Sequence, residues 1–216
     1  TNVLLQATEL AIIALPLAFL IMSGTIDLSV GSVASLAGVS AGMMMASTGS
    51  TAMGFLAGLA VGLAAGALNG VLVAYLGLNS FVVTLGALSV WGGLALLITG
   101  GKTVTRTDLP ADFRGIGTAG LGPIPVQIVI LVLLIVAGWY VLNHTQFGKQ
   151  VLAIGGNRRA ARLMGVRVAR TQFILFSVSG LFAAFAGIML AAKVQSASPT
   201  IGTGMDALAH CLEAYC

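Results

Sequence analysis

The sequence predicts an all-α integral membrane protein with about six transmembrane or re-entrant helices. Three observations carry that expectation: scarce charge, apolar residues gathered into long runs, and glycine placed inside those runs. Only 7% of the 216 residues are charged and 58% are apolar, with a mean hydropathy of +1.05. Ordinary soluble domains carry roughly 25% charged residues, and a soluble globule of this length would have too little charge to cover its surface. A bilayer removes that requirement, because lipid takes the place of water. The 29 glycines would weaken water-exposed helices, but membrane helices use small residues for close approach. The net charge of +4 rests on ten cations, six of them in one short segment. Membrane orientation explains such a cluster better than a nucleic-acid surface does, so no nucleic-acid partner is expected.

A spanning helix needs about 20 predominantly apolar residues. The first such run covers residues 4–26, with Glu9 near one end and Pro16 near the middle. The second, residues 30–46, is short and rich in Gly, Ser and Ala; it either spans or re-enters. The third covers residues 53–75 and the fourth residues 81–99, with a polar connection following over residues 100–122. The fifth covers residues 125–142 and the sixth residues 171–192. In the third run Gly54, Gly58, Gly62, Gly66 and Gly70 recur every four residues and so line one helix face. Such a ridge serves close helix packing, with substrate passage as the alternative.

Charge sets the orientation. Lys149, Arg158, Arg159, Arg162, Arg167 and Arg170 follow the fifth run with no acid among them. The connection over residues 100–122 has three cations, Lys102, Arg106 and Arg114, and also Asp108 and Asp112. Counting Lys and Arg alone places the six-cation segment in the cytoplasm and the other connection outside. If all six runs span, Thr1 starts outside and an odd number of spans precedes it in the complete protein; a re-entrant second run reverses this. Thr1 opens almost directly into an apolar run without a charged n-region or cleavage site. The sequence is therefore expected to begin inside a longer protein. Cys211 and Cys216 make neither a disulfide framework nor a zinc spacing.

Three blocks carry more specific information. In Gly24-Thr25-Ile26-Asp27-Leu28-Ser29-Val30-Gly31-Ser32, an acid beside a membrane segment precedes serines and glycines that can break one helix and begin the next. Asp27 and Ser29 are good N-cap types and Gly31 relaxes the backbone. An ionisable residue at membrane depth marks a functional position, whereas a cap at the membrane edge is structural; Asp27, Ser29, Gly31 and Ser32 are candidates for a translocation path or helix break on the first reading. In Asn79-Ser80-Phe81-Val82-Val83-Thr84-Leu85-Gly86-Ala87, Ser80 is expected to cap the fourth helix and Thr84 to bond back within it. The third block is the basic segment, including Gly155-Gly156-Asn157-Arg158-Arg159-Ala160-Ala161-Arg162-Leu163-Met164-Gly165. Asn157 can cap a short helix that Gly165 ends. Such a helix suits the groove of a partner protein or a bed of anionic lipid, and physics alone does not separate the two.

In this order and spacing, the blocks resemble the permease family of bacterial ABC sugar importers that includes the ribose, xylose and rhamnose systems. The resemblance covers residues 1–204 and implies a truncated permease domain with a cytoplasmic coupling loop over residues 145–170. It implies a multi-pass subunit of the bacterial inner membrane that translocates a monosaccharide. It further implies a periplasmic sugar-binding protein, a second permease subunit and an ABC ATPase as partners, besides the lipid bilayer. ATP and Mg belong to that ATPase; the permease itself has no catalytic residue and binds no cofactor. Gly155, Gly156, Asn157, Arg158, Arg159, Ala160, Ala161, Arg162 and Gly165 fall on the loop that couples to the ATPase, with Arg159 where the importer motif usually has Glu.

Beyond Gly204 the sequence departs from that pattern. Residues 205–216 read as a foreign tail similar to the metal-binding helix of iron-containing alcohol dehydrogenases. Asp206 and His210 stand at i and i+4, one helix face, but no second histidine pair follows, so they are vestigial candidates and no metal is expected. The alternatives are a membrane scaffold without transport, an inactive truncated or chimeric fragment and, on the tail alone, a metal-dependent dehydrogenase fragment.

Overall fold

The helix boundaries follow the apolar runs to within a few residues. The structure is a computed structural model describing residues 2–116, 120–121 and 124–200. Its long helices are α1 (Asn2–Met22), α2 (Val30–Thr48), α3 (Thr51–Gly70), α4 (Ser80–Thr99), α6 (Val126–His144) and α9 (Val168–Val194). Short helices α5 (Ala111–Ile116), α7 (Gln146–Gly156) and α8 (Arg158–Leu163) lie in the connections. A two-residue hairpin, Gly120–Leu121 with Ile124–Pro125, is the sheet among the described residues. Among the described residues five helices are long and apolar enough to span a membrane, and Thr8–Met22 adds a shorter apolar helix. The architecture is all-α, as the composition predicts. The tail with Asp206 and His210 lies outside the described residues.

Helix ends show how local chemistry sets the boundaries. After α1, Gly24 has φ +75°, and the Thr25 N–H donates to the Leu20 carbonyl at 3.0 Å, closing the left-handed C-terminal turn that glycine permits. α3 loosens into a π-helical turn over Val71–Tyr75, where the Leu76 N–H reaches the Val71 carbonyl. At α4 the expected cap moves by one residue. Asn79 accepts from the Phe81 N–H at 2.9 Å, and Ser80 is already helical, its hydroxyl accepting instead from the Ile26 N–H at 3.4 Å. Asn79 holds the extended backbone a cap requires. The Thr84 hydroxyl bonds back to the Ser80 carbonyl at 2.8 Å.

The interior is built around α9. Gly54 and Gly58 of α3 face α2, where an added Cβ would lie 2.8 Å from the Ala41 carbonyl and 2.9 Å from that of Ala37. Further along, Gly62 and Gly66 meet Gly180 of α9, and Gly70 meets Phe173 and Phe176. The whole four-residue series therefore lies in helix contacts. A second set of small residues completes the junction: Gly187 of α9 lies against the Ala34 backbone of α2, and Gly38 against the Gly187 carbonyl. Such contacts bring backbones together where no apolar driving force against lipid exists.

One end of the bundle is also tied. Val104 and Ala197 exchange backbone hydrogen bonds at 2.9 and 3.0 Å, joining the connection after α4 to the segment after α9. The six-cation segment lies at the other end of α6 and α9, so the two connections occupy opposite ends of the bundle. Near the first of these ends, Lys193 Nζ donates to both Glu9 carboxylate oxygens at 3.0 and 3.2 Å, pairing the first long helix with the last.

Candidate functional site

Two groups of polar residues occupy sites that a purely apolar bundle would not need. The first is the basic segment. Thr145 caps α7 by accepting from the Gly148 N–H at 3.2 Å. Asn157 caps α8 twice, its Oδ1 accepting from the Arg159 and Ala160 amides at 3.0 and 2.9 Å. The helix ends where Gly165 takes φ +84° and the Val166 N–H returns to the Ala161 carbonyl at 3.0 Å. Ile154, Ala161 and Val168 form a small buried cluster beneath it. Ala160 is partly buried, whereas Gly156, Arg159 and Arg162 are exposed. At the tip Leu163 and Met164 stay 84% and 71% exposed, large apolar side chains among arginines.

The segment is fastened to the bundle at three places. Gly155 passes so close to the Met22 carbonyl that a Cβ would collide with it, which seats α7 on the end of α1. The Thr171 hydroxyl donates to Gln150 Oε1 at 3.2 Å. The Arg158 guanidinium donates to Gln172 Oε1 at 2.7 Å. Gln172 is fully buried in α9, so this bond carries the position of α8 directly to the central helix. Partial burial pulls the Arg158 guanidinium below its usual value, with the neighbouring Arg162 charge adding to the effect.

The second group is the break between α1 and α2. Asp27 is 2% exposed and Ser29 fully buried. Asp27 Oδ1 accepts from the Ser29 N–H at 3.0 Å and the Ser29 hydroxyl at 2.7 Å, an Asx turn. Its Oδ2 accepts from Ser179 of α9 at 3.2 Å. Asn69 of α3 donates to the Ser29 hydroxyl at 2.8 Å, and the Ser32 hydroxyl donates to the Ser29 carbonyl at 2.8 Å. Ser29 occupies the N-cap position of α2 but makes no side-chain capping bond; its hydroxyl is committed to Asp27. Gly31 is buried one residue inside α2. Ser179 is eleven residues along α9 from Val168, about 16 Å at the helical rise, so the cluster lies well inside the bundle.

Sequence reasoning selected Asp27, Ser29, Gly31 and Ser32 but not their partners Asn69 and Ser179. It likewise found Arg158 without Gln172. Gln172 and Ser179 are seven apart on α9, two helical turns on one face, and that spacing was the available signal. Among the described residues no group of three or more His, Cys, Asp or Glu is placed to hold a metal.

Among the described residues, long apolar helices of which α2, α3 and α9 interlock through small residues, with a basic segment held at one end, define a multi-pass membrane subunit of the permease type. The family described as branched-chain amino acid transport system / permease component matches residues 1–215, a range that runs through most of the tail. The ribose import permease protein of Escherichia coli (strain K12) is 36% identical over 213 residues, covering 96% of this chain and 66% of the relative. The L-arabinose transport system permease protein of the same strain is 39% identical over 194 residues, covering 90% and 58%. The autoinducer 2 import system permease protein of Yersinia enterocolitica is 36% identical over 214 residues, covering 98% and 59%. No solved structure matches. The chain belongs to this permease family, with the ribose import, L-arabinose transport and autoinducer 2 import permease proteins among its relatives. It is a multi-pass protein of the bacterial inner membrane, and it spans 66% or less of the length of these relatives.

Proposed function

We propose that this chain is the membrane-embedded subunit of an ATP-driven importer that carries a monosaccharide across the bacterial inner membrane. Family membership supports the transport class, and relatives named for ribose and arabinose import favour a sugar as cargo. The observation that carries the mechanism is the α7–α8 segment. It presents exposed Leu163 and Met164 among arginines and is anchored to buried Gln172 through Arg158. An exposed apolar tip with a basic rim suits the groove of a partner protein, and here that partner is the ABC ATPase that holds ATP and Mg. Gly155, Gly156, Asn157, Arg159, Ala160, Ala161, Arg162 and Gly165 shape the same docking element.

Movement of α8 would be passed to α9 through the Arg158–Gln172 bond. α9 contacts both the glycine ridge of α3 and, through Ser179, the Asp27 break. A push at the cytoplasmic end therefore reaches the helices around the path as a rigid displacement of one helix. The permease contributes no catalytic group and no cofactor. A second permease subunit, identical or related, completes the path, and a periplasmic binding protein delivers the sugar.

The test is reconstitution of the full chain with its ATPase and binding protein in vesicles, followed by ATP-dependent sugar uptake. Replacing Arg158, Arg159 and Arg162 with Glu is expected to abolish uptake while the permease still inserts. Uptake that persists at the wild-type rate would overturn the coupling role of this segment.

A further inference from the structure

Two cavities meet at the cytoplasmic end of α9, and their chemistries differ sharply. One, of about 400 Å³, is lined by Gln146, Phe147 and Gln150 from the first turn of α7 and by Arg167, Arg170 and Thr171 at the start of α9, with Ile174 behind them. No acidic residue lines it, and none occurs in the sequence between Asp112 and Asp206. Gln150 Oε1 already accepts from Thr171, so its amide offers N–H donors to that space. The first turns of α7 and α9, where the helix dipoles are positive, line the same cavity as Arg167 and Arg170.

The other cavity is a wholly apolar groove of about 270 Å³ between α1, α6 and α9. Phe147 lines both cavities, and the groove continues past Val141, Leu175, Val178 and Leu134 to Phe182. Leu134 and Phe182 also line a third apolar hollow of about 230 Å³ that reaches Ile130 and Phe185. On α9 the lining residues Thr171, Ile174, Val178 and Phe182 are three or four apart, a single face. From Thr171 to Phe182 that face measures about 16 Å, close to half of the roughly 30 Å hydrocarbon core.

We infer that this face of α6, α7 and α9 is a binding site for one anionic phospholipid of the cytoplasmic leaflet. Arg167, Arg170 and Gln150 hold the headgroup phosphate, and an acyl chain lies in the groove from Phe147 to Phe182. The charge complementarity selects the headgroup, since basic pockets between helices on this side suit anionic lipid. The length and purely apolar lining of the groove select a lipid over a soluble phosphate compound. The site needs only the membrane orientation and stands whatever cargo the chain carries. A lipid held there would clamp α7 against α9, beside the Gln150–Thr171 bond.

The experiment is native mass spectrometry of the full chain in mild detergent, with phosphatidylglycerol and phosphatidylcholine of identical acyl chains added in turn. Wild-type protein is expected to retain phosphatidylglycerol preferentially. Arg167→Gln with Arg170→Gln should weaken that retention by about thirtyfold, the effect of two interfacial cations. Arg159→Gln with Arg162→Gln removes the same charge outside the cavity and should leave retention unchanged. Val178→Trp, at a partly lipid-exposed position, should fill the groove and weaken phosphatidylglycerol binding with every arginine intact. Four results would overturn the assignment. Equal losses in the two arginine pairs mean diffuse surface attraction, and displacement by millimolar inorganic phosphate means a free-anion site. Full retention in the Val178→Trp protein means that no chain occupies the groove. Absence of retained phosphatidylglycerol in the wild type means that the chain's own residues or another subunit cover the face.

Discussion

Helices α2 and α6 have the same length, 19 residues, but opposite surroundings. In α2, 72% of the spanning window is buried inside the protein; in α6 the figure is 6%. The buried helix is the one rich in Gly, Ser and Ala, and the lipid-facing one is a run of Val, Ile and Leu. This inverts the arrangement of a soluble protein, where apolar residues go inside. In a bilayer both environments are apolar, so burial is decided by how closely backbones approach and whether polar groups find partners. Among the candidate spans described, the most buried helix, α2, is therefore also the least apolar.

The sharpest way to break the contrast is to add bulk on each side of it. Gly66→Leu would drive a side chain into the Phe176 carbonyl and the Gly180 backbone. Backbone cannot yield as a side-chain tip can, so a loss of about 3 kcal/mol or more is expected, read as failure to recover monodisperse protein after extraction. Leu133→Ala on the lipid-exposed face of α6 should change stability by less than about 0.5 kcal/mol. Comparable effects at the two positions would mean that α6 is packed against protein.

A smaller effect is expected at the polar break. Asp27→Ala leaves the Ser29 amide and hydroxyl and the Ser179 hydroxyl without their acceptor, at a cost of about 2 kcal/mol, measured by thermal melting in detergent. Asp27→Asn keeps an oxygen for Ser29 and should recover at least half of that loss. If Asn is as damaging as Ala, the negative charge rather than the hydrogen-bond geometry matters there.

Much of this arrangement was legible in the sequence because the strongest signals are one-dimensional. Apolar runs gave six helices at the expected places, and the four-residue glycine repeat marked the buried face of α3. Asn157 and Gly165 bracket α8 because capping chemistry acts over three or four residues. Partners distant in sequence were not legible. Ser179 lies 152 positions from Asp27, and nothing local to either residue names the other. Gln172 reads as a stray amide in an apolar helix until the fold places Arg158 beside it. At α4 the expected cap was Ser80, and the extended backbone puts the cap at Asn79 instead.

The connection after α4 sets the lower end of the scale. The Thr105 hydroxyl and amide donate to Asp108 Oδ2 at 2.6 and 3.1 Å, holding its carboxyl below the ordinary 3.8. A depressed carboxyl lends stability that is present above the ordinary value and lost as pH falls through the lower folded one. Because the group is exposed, the expected result is local: faster proteolysis around residues 105–108 below about pH 4, with the helices unaffected. Asp108→Asn should remove that pH dependence, and cleavage unchanged by acid in the wild type would show that the turn adds no order.

The Glu9–Lys193 pair has a consequence in time. Its members are 184 residues apart, so at synthesis rates of about 5–20 residues per second the acid leaves the ribosome roughly 10–40 s before its base exists. During that interval Glu9 has no Lys193 to neutralise it in lipid. α1 therefore reaches its final seat, paired through Glu9, only when α9 arrives. The seat of α1 is thereby completed only after every helix from α2 to α8 has been made.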